Sequence, residues 1–190
     1  MHREEIQKRS FLSEFKTREA EESLFIEGYF SVFNSNYELF PGATESVVQG
    51  AFSETLGEDI RALINHETRL VLGRSKSGTL ELKEDSHGLW GKIKINPNDS
   101  DAMNLYERVK RGDVDQCSFG FEILDEETEY REDGSIHWTI KKVRLYEVSV
   151  CTFPAYEATS VSARTKEFKE IQERKNVAWK EKMKGRLKGE

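Results

Sequence analysis

The chain has 190 residues, 36% of them hydrophobic and 34% charged, which suits one domain with tails rather than two full domains. Its net charge of -6 at pH 7 excludes general affinity for nucleic acid, which calls for clustered positive charge. No apolar run approaches the roughly 18 residues of a membrane span, and the opening MHREEIQKRSFLSEF lacks the apolar stretch of a secretory signal, so a soluble, intracellular chain is expected.

Residues 1–22 are charged and poorly periodic and read as a mobile or partner-dependent arm. From Leu24 to Phe33 the chain is aromatic and β-branched, with strand character, and Asn34-Ser35-Asn36 supplies a turn. After Pro41-Gly42 a short helix is expected to end near Gly57, because Val48, Phe52 and Leu56 would share a face. Strands follow at Asp59–Asn65, Leu70–Gly73, Thr79–Lys83 and Leu89–Ile95. The last alternates Leu89, Gly91, Ile93 and Ile95 against Trp90, Lys92 and Lys94, as a strand with one buried face does. The clearest helix is Ser100–Arg111, with Ala102, Leu105, Tyr106 and Val109 at helical spacing, a cap at Asp99 or Ser100 and a stop at Gly112.

Strands resume at Gln116–Leu124 and Glu129–Arg131. A turn at Glu132-Asp133-Gly134 leads into a run from Ile136 to Phe153 that is long enough to require a bend or bulge. Residues 163–190 carry 10 Lys/Arg and 5 Asp/Glu, against 19 and 30 in residues 1–162. Phe168, Ile171, Ala178 and Trp179 make a thin apolar stripe there, on either a solvated basic helical tail or a docking helix. The expected fold is mainly β with helices (α+β).

Among the four histidines, His66 is distinctive because it ends the apolar strand Ala62-Leu63-Ile64-Asn65-His66, where a general base can meet substrate at a sheet rim. Ser118 lies in Gln116-Cys117-Ser118-Phe119-Gly120-Phe121. Alternation puts Cys117, Phe119 and Phe121 on one face and Ser118 and Gly120 on the other. The phenylalanine face should be core, so Cys117 reads as a small buried hydrophobe rather than as the nucleophile of a cysteine hydrolase. The glycine two residues beyond Ser118 leaves open space beside its hydroxyl. Glu147 falls in the apolar strand Leu145-Tyr146-Glu147-Val148-Ser149, where burial demands a partner. That partner is Arg144 or Arg74 in a structural reading, and the His66 imidazole in a catalytic one. Cys117 and Cys151 are too few for a disulfide framework and suit a reducing compartment. No HExxH, CxxC, GxSxG or phosphate-binding glycine loop occurs, so no metal or cofactor is expected.

Taken in order, these segments resemble the prohead protease family of tailed bacteriophages, the capsid maturation proteases. The resemblance runs from about Phe25 to Ala163. It rests on Glu27-Gly28-Tyr29-Phe30, Gly50-Ala51-Phe52, Asn65-His66-Glu67 with Leu72-Gly73-Arg74, Arg111-Gly112-Asp113, Ser118-Phe119-Gly120-Phe121 and Leu145-Tyr146-Glu147-Val148-Ser149, then Phe153-Pro154-Ala155-Tyr156. It implies an antiparallel, β-barrel-like core related to the herpesvirus assembly proteases, spanning residues 23–162, with 1–22 as an arm and 163–190 as a tail. It also implies a serine endopeptidase with His66 as base and Ser118 as nucleophile, to which Glu147 is added here as third member. The implied substrates are scaffolding protein, the scaffold-like segment of the major capsid protein, and the protease itself. The implied place is the host cytoplasm, inside the procapsid and near the portal. A non-enzymatic scaffold-binding module on the same fold is the alternative.

Overall fold

A computed structural model describes residues 6–13, 15–20 and 23–153, and in the C-terminal segment 168–170, 173–174, 177–181 and 183–184. In chain order the strands are β1 (Gln7–Leu12), β2 (Lys16–Ala20), β3 (Ser23–Val32), β4 (Tyr37–Phe40), β5 (Ala43–Val47), β6 (Arg61–Ile64), β7 (Glu67–Arg74), β8 (Leu80–Glu84) and β9 (Gly88–Ile95). Helix α1 (Ser100–Arg111) precedes β10 (Gln116–Tyr130) and β11 (Ile136–Cys151).

The β10–β11 hairpin is the spine. Its turn is closed by Gly134 at φ 87° and by Asp133, whose Oδ1 accepts from the Ser135 N–H at 2.9 Å. Cys117, Phe119 and Phe121 on one face of β10 meet Val148 and Val150 of β11 in the core, with Phe119 and Phe121 stacked at 4.7 Å and Phe52 edge-on to Phe119 at 5.4 Å. Aromatic burial of this kind fixes which way the alternate residues of β10 point. The bend expected in the long strand is present as three register shifts against β10, the first between Gly120 and Phe121.

β1 lies antiparallel on the far edge of β10. The other edge of β11 takes two parallel strands end to end, β5 along Ile136–Ile140 and β6 along Glu147–Val150. With β4 on β5 and β7 on β6, this makes a seven-stranded sheet. A second sheet, in the order β2-β3-β9-β8, packs Ile26, Phe30, Leu89 and Ile93 into the same core. Helix α1 is capped as expected. Asp99 accepts from the N–H groups of Asp101 and Ala102, and Gly112 adopts the left-handed conformation.

Four sequence expectations change. The described part of the N-terminal arm forms β1 and β2, because Arg9 is buried against Glu45 of β5 and because β2 pairs with β3. The expected helix between Gly42 and Gly57 is instead β5 followed by successive turns, with i to i+3 bonds such as Ser53 N–H to Gly50 O and Thr55 N–H to Phe52 O. Val48, Ala51 and Phe52 are held by those turns, by the Val48 N–H bond to Ile140 O and by the Phe52 N–H bond to Glu84. The core is mainly β with few helices, but the two sheets do not close into a barrel among the described residues, since β1, β4 and β7 end the first and β2 and β8 the second. The structural pairing suggested for Glu147 also fails, because Arg74 is engaged by Asp59 at 2.6 Å and Arg144 by Glu122 at 3.3 Å. In the tail the described residues are helical, and Phe168 packs edge-on against Phe40 at 5.4 Å, while Trp179 is exposed. Ile171 and the boundary at 162–163 lie outside the described residues.

Candidate active site

β6 and β7 are joined by only two residues, Asn65 and His66, with Ile64 paired to Glu67. Of the two-residue hairpin turns whose twist matches their strands, type I′ needs positive φ at both central positions, and Asn65 (φ 49°) and His66 (φ 62°) both have it. Asn and His enter this conformation more readily than most side chains, though a residue with a Cβ still adopts it at a cost that glycine avoids. Asn65 secures the turn to β11: its N–H donates to Val150 O at 3.1 Å, and its Oδ1 accepts from Thr152 N–H at 2.9 Å. The imidazole is thereby delivered to the face of β11 that carries Glu147.

His66 Nδ1 lies 2.7 Å from Glu147 Oε1, and the two side chains are only 9% and 13% exposed. A carboxylate only accepts, so Nδ1 carries a proton, and in the neutral imidazole the lone pair is then on Nε2. The other carboxylate oxygen, Oε2, accepts from Ser149 Oγ at 2.6 Å, and Ser149 Oγ in turn accepts from the His66 backbone N–H at 3.2 Å. Ser149, absent from the sequence-based candidates, was legible as the i+2 neighbour of Glu147 on one strand face.

Ser118 sits directly opposite Ser149 across the β10–β11 ladder, and Ser10 of β1 sits opposite Ser118 on its other side. Side chains of directly opposed residues share a face, so Ser118, Ser149, Glu147 and His66 form one polar patch behind the phenylalanine core. Ser118 is fully buried. The structure does not join it to His66 by a hydrogen bond. Ser118 Oγ and His66 Nε2 are both buried and without a hydrogen-bond partner among the described residues, as is Gln116 Oε1 on the same face of β10. Buried polar atoms without partners are costly, and here they cluster where a nucleophile and its base would act.

Gly120 completes the patch. It pairs with Glu147, and a Cβ at this position would approach Glu147 Cδ to 3.1 Å and Cγ to 3.2 Å, with Oε1 closer still. The carboxylate is the part able to give way, and doing so takes it from His66. With the patch acting as nucleophile and base, Gly120→Ala should lower kcat about 100-fold, the scale of a small misplacement in an active site. Its thermal unfolding should show a cost of only about 1–2 kcal/mol.

The cysteines behave as core groups. Cys117 is fully buried, with Sγ 3.3 Å from Tyr29 O. Cys151 lies at the end of β11, where burial first and then the Glu147 charge push its thiol up to about 12. The Cys151 thiol is therefore not poised as a thiolate.

The fold and the sequence both have known relatives. A likeness in fold is found to the capsid assembly protease of bacteriophage T4, with a TM-score of 0.54 over 78% of this chain and 98% of that one, at 8% identity. In sequence, the chain is 32% identical over 151 residues to the prohead protease of Enterobacteria phage HK97, covering 77% of this chain but only 62% of that protein's length. Residues 13–174 match the family model described as caudovirus prohead serine protease, and the chain belongs to that family.

Proposed function

We propose that the chain is a serine endopeptidase of procapsid maturation, with Ser118 as nucleophile, His66 as general base and Glu147 as the group that orients and stabilises the imidazole. The observation that carries this is the His66 Nδ1 to Glu147 bond of 2.7 Å, which leaves Nε2 as the free base on the face that Ser118 shares. His66 Nε2 takes the Ser118 hydroxyl proton as Oγ attacks the scissile carbonyl. The imidazolium, held by Glu147, then protonates the leaving amine. Water attacks the acyl-enzyme by the same route, with His66 again as base. A positioned base of this kind contributes roughly 10² to 10⁴-fold. Because Ser118 is fully buried, a substrate carbonyl reaches it only when the site opens.

The proposed substrates are scaffolding protein, or the scaffold-like segment of the major capsid protein, and the chain itself, cleaved inside the procapsid in the host cytoplasm. A kinship with the herpesvirus assembly proteases belongs to the same reading and rests on the sequence motifs. Co-expression with the phage's own capsid and scaffold proteins tests it. Intact mass should show trimmed substrate with the wild type and full-length substrate with Ser118→Ala. Trimming at the wild-type rate by Ser118→Ala would overturn the assignment.

A further inference from the structure

We infer that Ser149 is a positioning residue of this peptidase, a fourth member of the site that holds both halves of the His66–Glu147 couple. The inference rests on the catalytic reading above and adds to it. Ser149 is fully buried on the central strand β11, opposite Ser118. Its one hydroxyl makes two contacts that converge. The Oγ–H donates to Glu147 Oε2 at 2.6 Å, a short bond of the kind formed when the acceptor is ionised. The lone pair accepts from the His66 backbone N–H at 3.2 Å, and Oγ also lies 3.4 Å from His66 Nδ1.

These contacts do different work. Glu147 is next to a register shift in the β10–β11 ladder, where its neighbour Tyr146 is half-buried with its hydroxyl on Glu122. A carboxylate at such a place has freedom in its last torsion, which is broad for an sp³–sp² bond. Tying Oε2 to Ser149 selects the orientation that aims Oε1 at Nδ1. At the other end, the His66 backbone is in a left-handed turn that is costly for a residue with a Cβ. Tying its N–H to β11 holds that turn at the height where the ring meets Glu147. A serine that merely filled space on a buried strand face would satisfy its hydroxyl at one partner, and that partner would not have to be the group that orients the base.

The closing experiment compares Ser149→Ala, Ser149→Thr, Ser118→Ala and wild type on one peptide substrate. Ser149→Ala should lower kcat about 10- to 100-fold with KM unchanged, since the hydroxyl is taken up by Glu147 and the His66 backbone and a small misplacement of the base costs that much. Ser149→Thr, which restores the hydroxyl, should recover most of the loss. A second measurement needs no turnover. In ¹⁵N-histidine-labelled Ser118→Ala protein, His66 should show one neutral tautomer, protonated at Nδ1, with a downfield proton from the bond to Glu147. Adding Ser149→Ala should broaden or shift that proton upfield and mix the tautomers, while the thermal transition stays cooperative.

An unchanged kcat in Ser149→Ala, a loss carried by KM alone, or a His66 signal that stays in place in the double variant would overturn the inference. Survival of full activity in Ser118→Ala would instead overturn the catalytic reading beneath it, so the two failures are distinguishable.

Discussion

His66→Ala and His66→Gly are both expected to lose peptidase activity by about 10⁴-fold or more, yet to differ in stability, with the glycine variant the more stable by about 1 kcal/mol. The activity loss follows from the proposed role of His66 as the group that takes the nucleophile's proton, since members of such a unit are lost together rather than in fractions. The stability difference follows from the backbone. His66 has φ 62° at the second central position of a two-residue hairpin turn, where any side chain with a Cβ is strained. Holding an L-residue in that region costs about 1–2 kcal/mol, partly offset by glycine's greater freedom in the unfolded chain. Both variants remove the imidazole and its bond to Glu147 equally, so that loss cancels in the comparison. Urea melts of the two purified proteins check the difference. Equal midpoints would mean that the turn stores no strain, and that the site is not held at the expense of stability.

Arg9→Ala should be the most destabilising single change outside the hydrophobic core, by about 3–5 kcal/mol in denaturant unfolding. Arg9 and Glu45 are each only 2% exposed, and Arg9 Nε and Nη2 grip the two carboxylate oxygens of Glu45, the second at 2.9 Å. Arg9 also donates to Gln7 Oε1 and Lys8 O, both at 2.9 Å, and lies over the Phe121 ring at 5.6 Å. Truncation would strip the buried Glu45 carboxylate of its guanidinium and release the strand that lines β10 next to Ser118. Replacing both members by methionine should cost less than either alanine substitution alone, because no charge is then left buried. A double variant as unstable as the sum of the two single changes would show that the pair acts through packing rather than charge.

The same residues show what was legible in the chain and what was not. Strong alternation in β9 and around Ser118, and the capped helical period of Ser100–Arg111, predict elements that the structure contains. The alternation also separates Cys117 from Ser118 correctly, since it depends only on which face is apolar. β1 was missed because its burial is earned across 36 residues, through Arg9 and Glu45, and nothing local marks a charged hexamer as a sheet strand. The helix expected near Val48, Phe52 and Leu56 was a coincidence of spacing. Residues 43–47 had a better offer in the parallel edge of β11, and turns alone were enough to bury Phe52.

The hairpin at Asn65-His66 was hidden because the second position usually announces itself as glycine. Of the candidate site, Glu147 and His66 are joined directly. Ser118 reaches them only through the ladder and Ser149, a relation that pairing register reveals and sequence order does not.

One property of the β10–β11 ladder bears on how such a site is switched on. Around Ser118, β10 is flanked by β1 and β11, and around Glu147 and Ser149, β11 is flanked by β10 and β6. Backbone amides paired on both sides exchange with solvent mainly through the rarest openings of a protein, those that cost nearly its whole stability. The amides of Ser118, Glu147 and Ser149 are therefore expected among the slowest to exchange. Any event that admits a substrate must leave those strands paired and act on whatever lies over their polar face. Access and architecture are thus separate matters in the proposed mechanism: the strands that hold Ser118, Glu147 and Ser149 are fully paired while Ser118 is shut off from solvent.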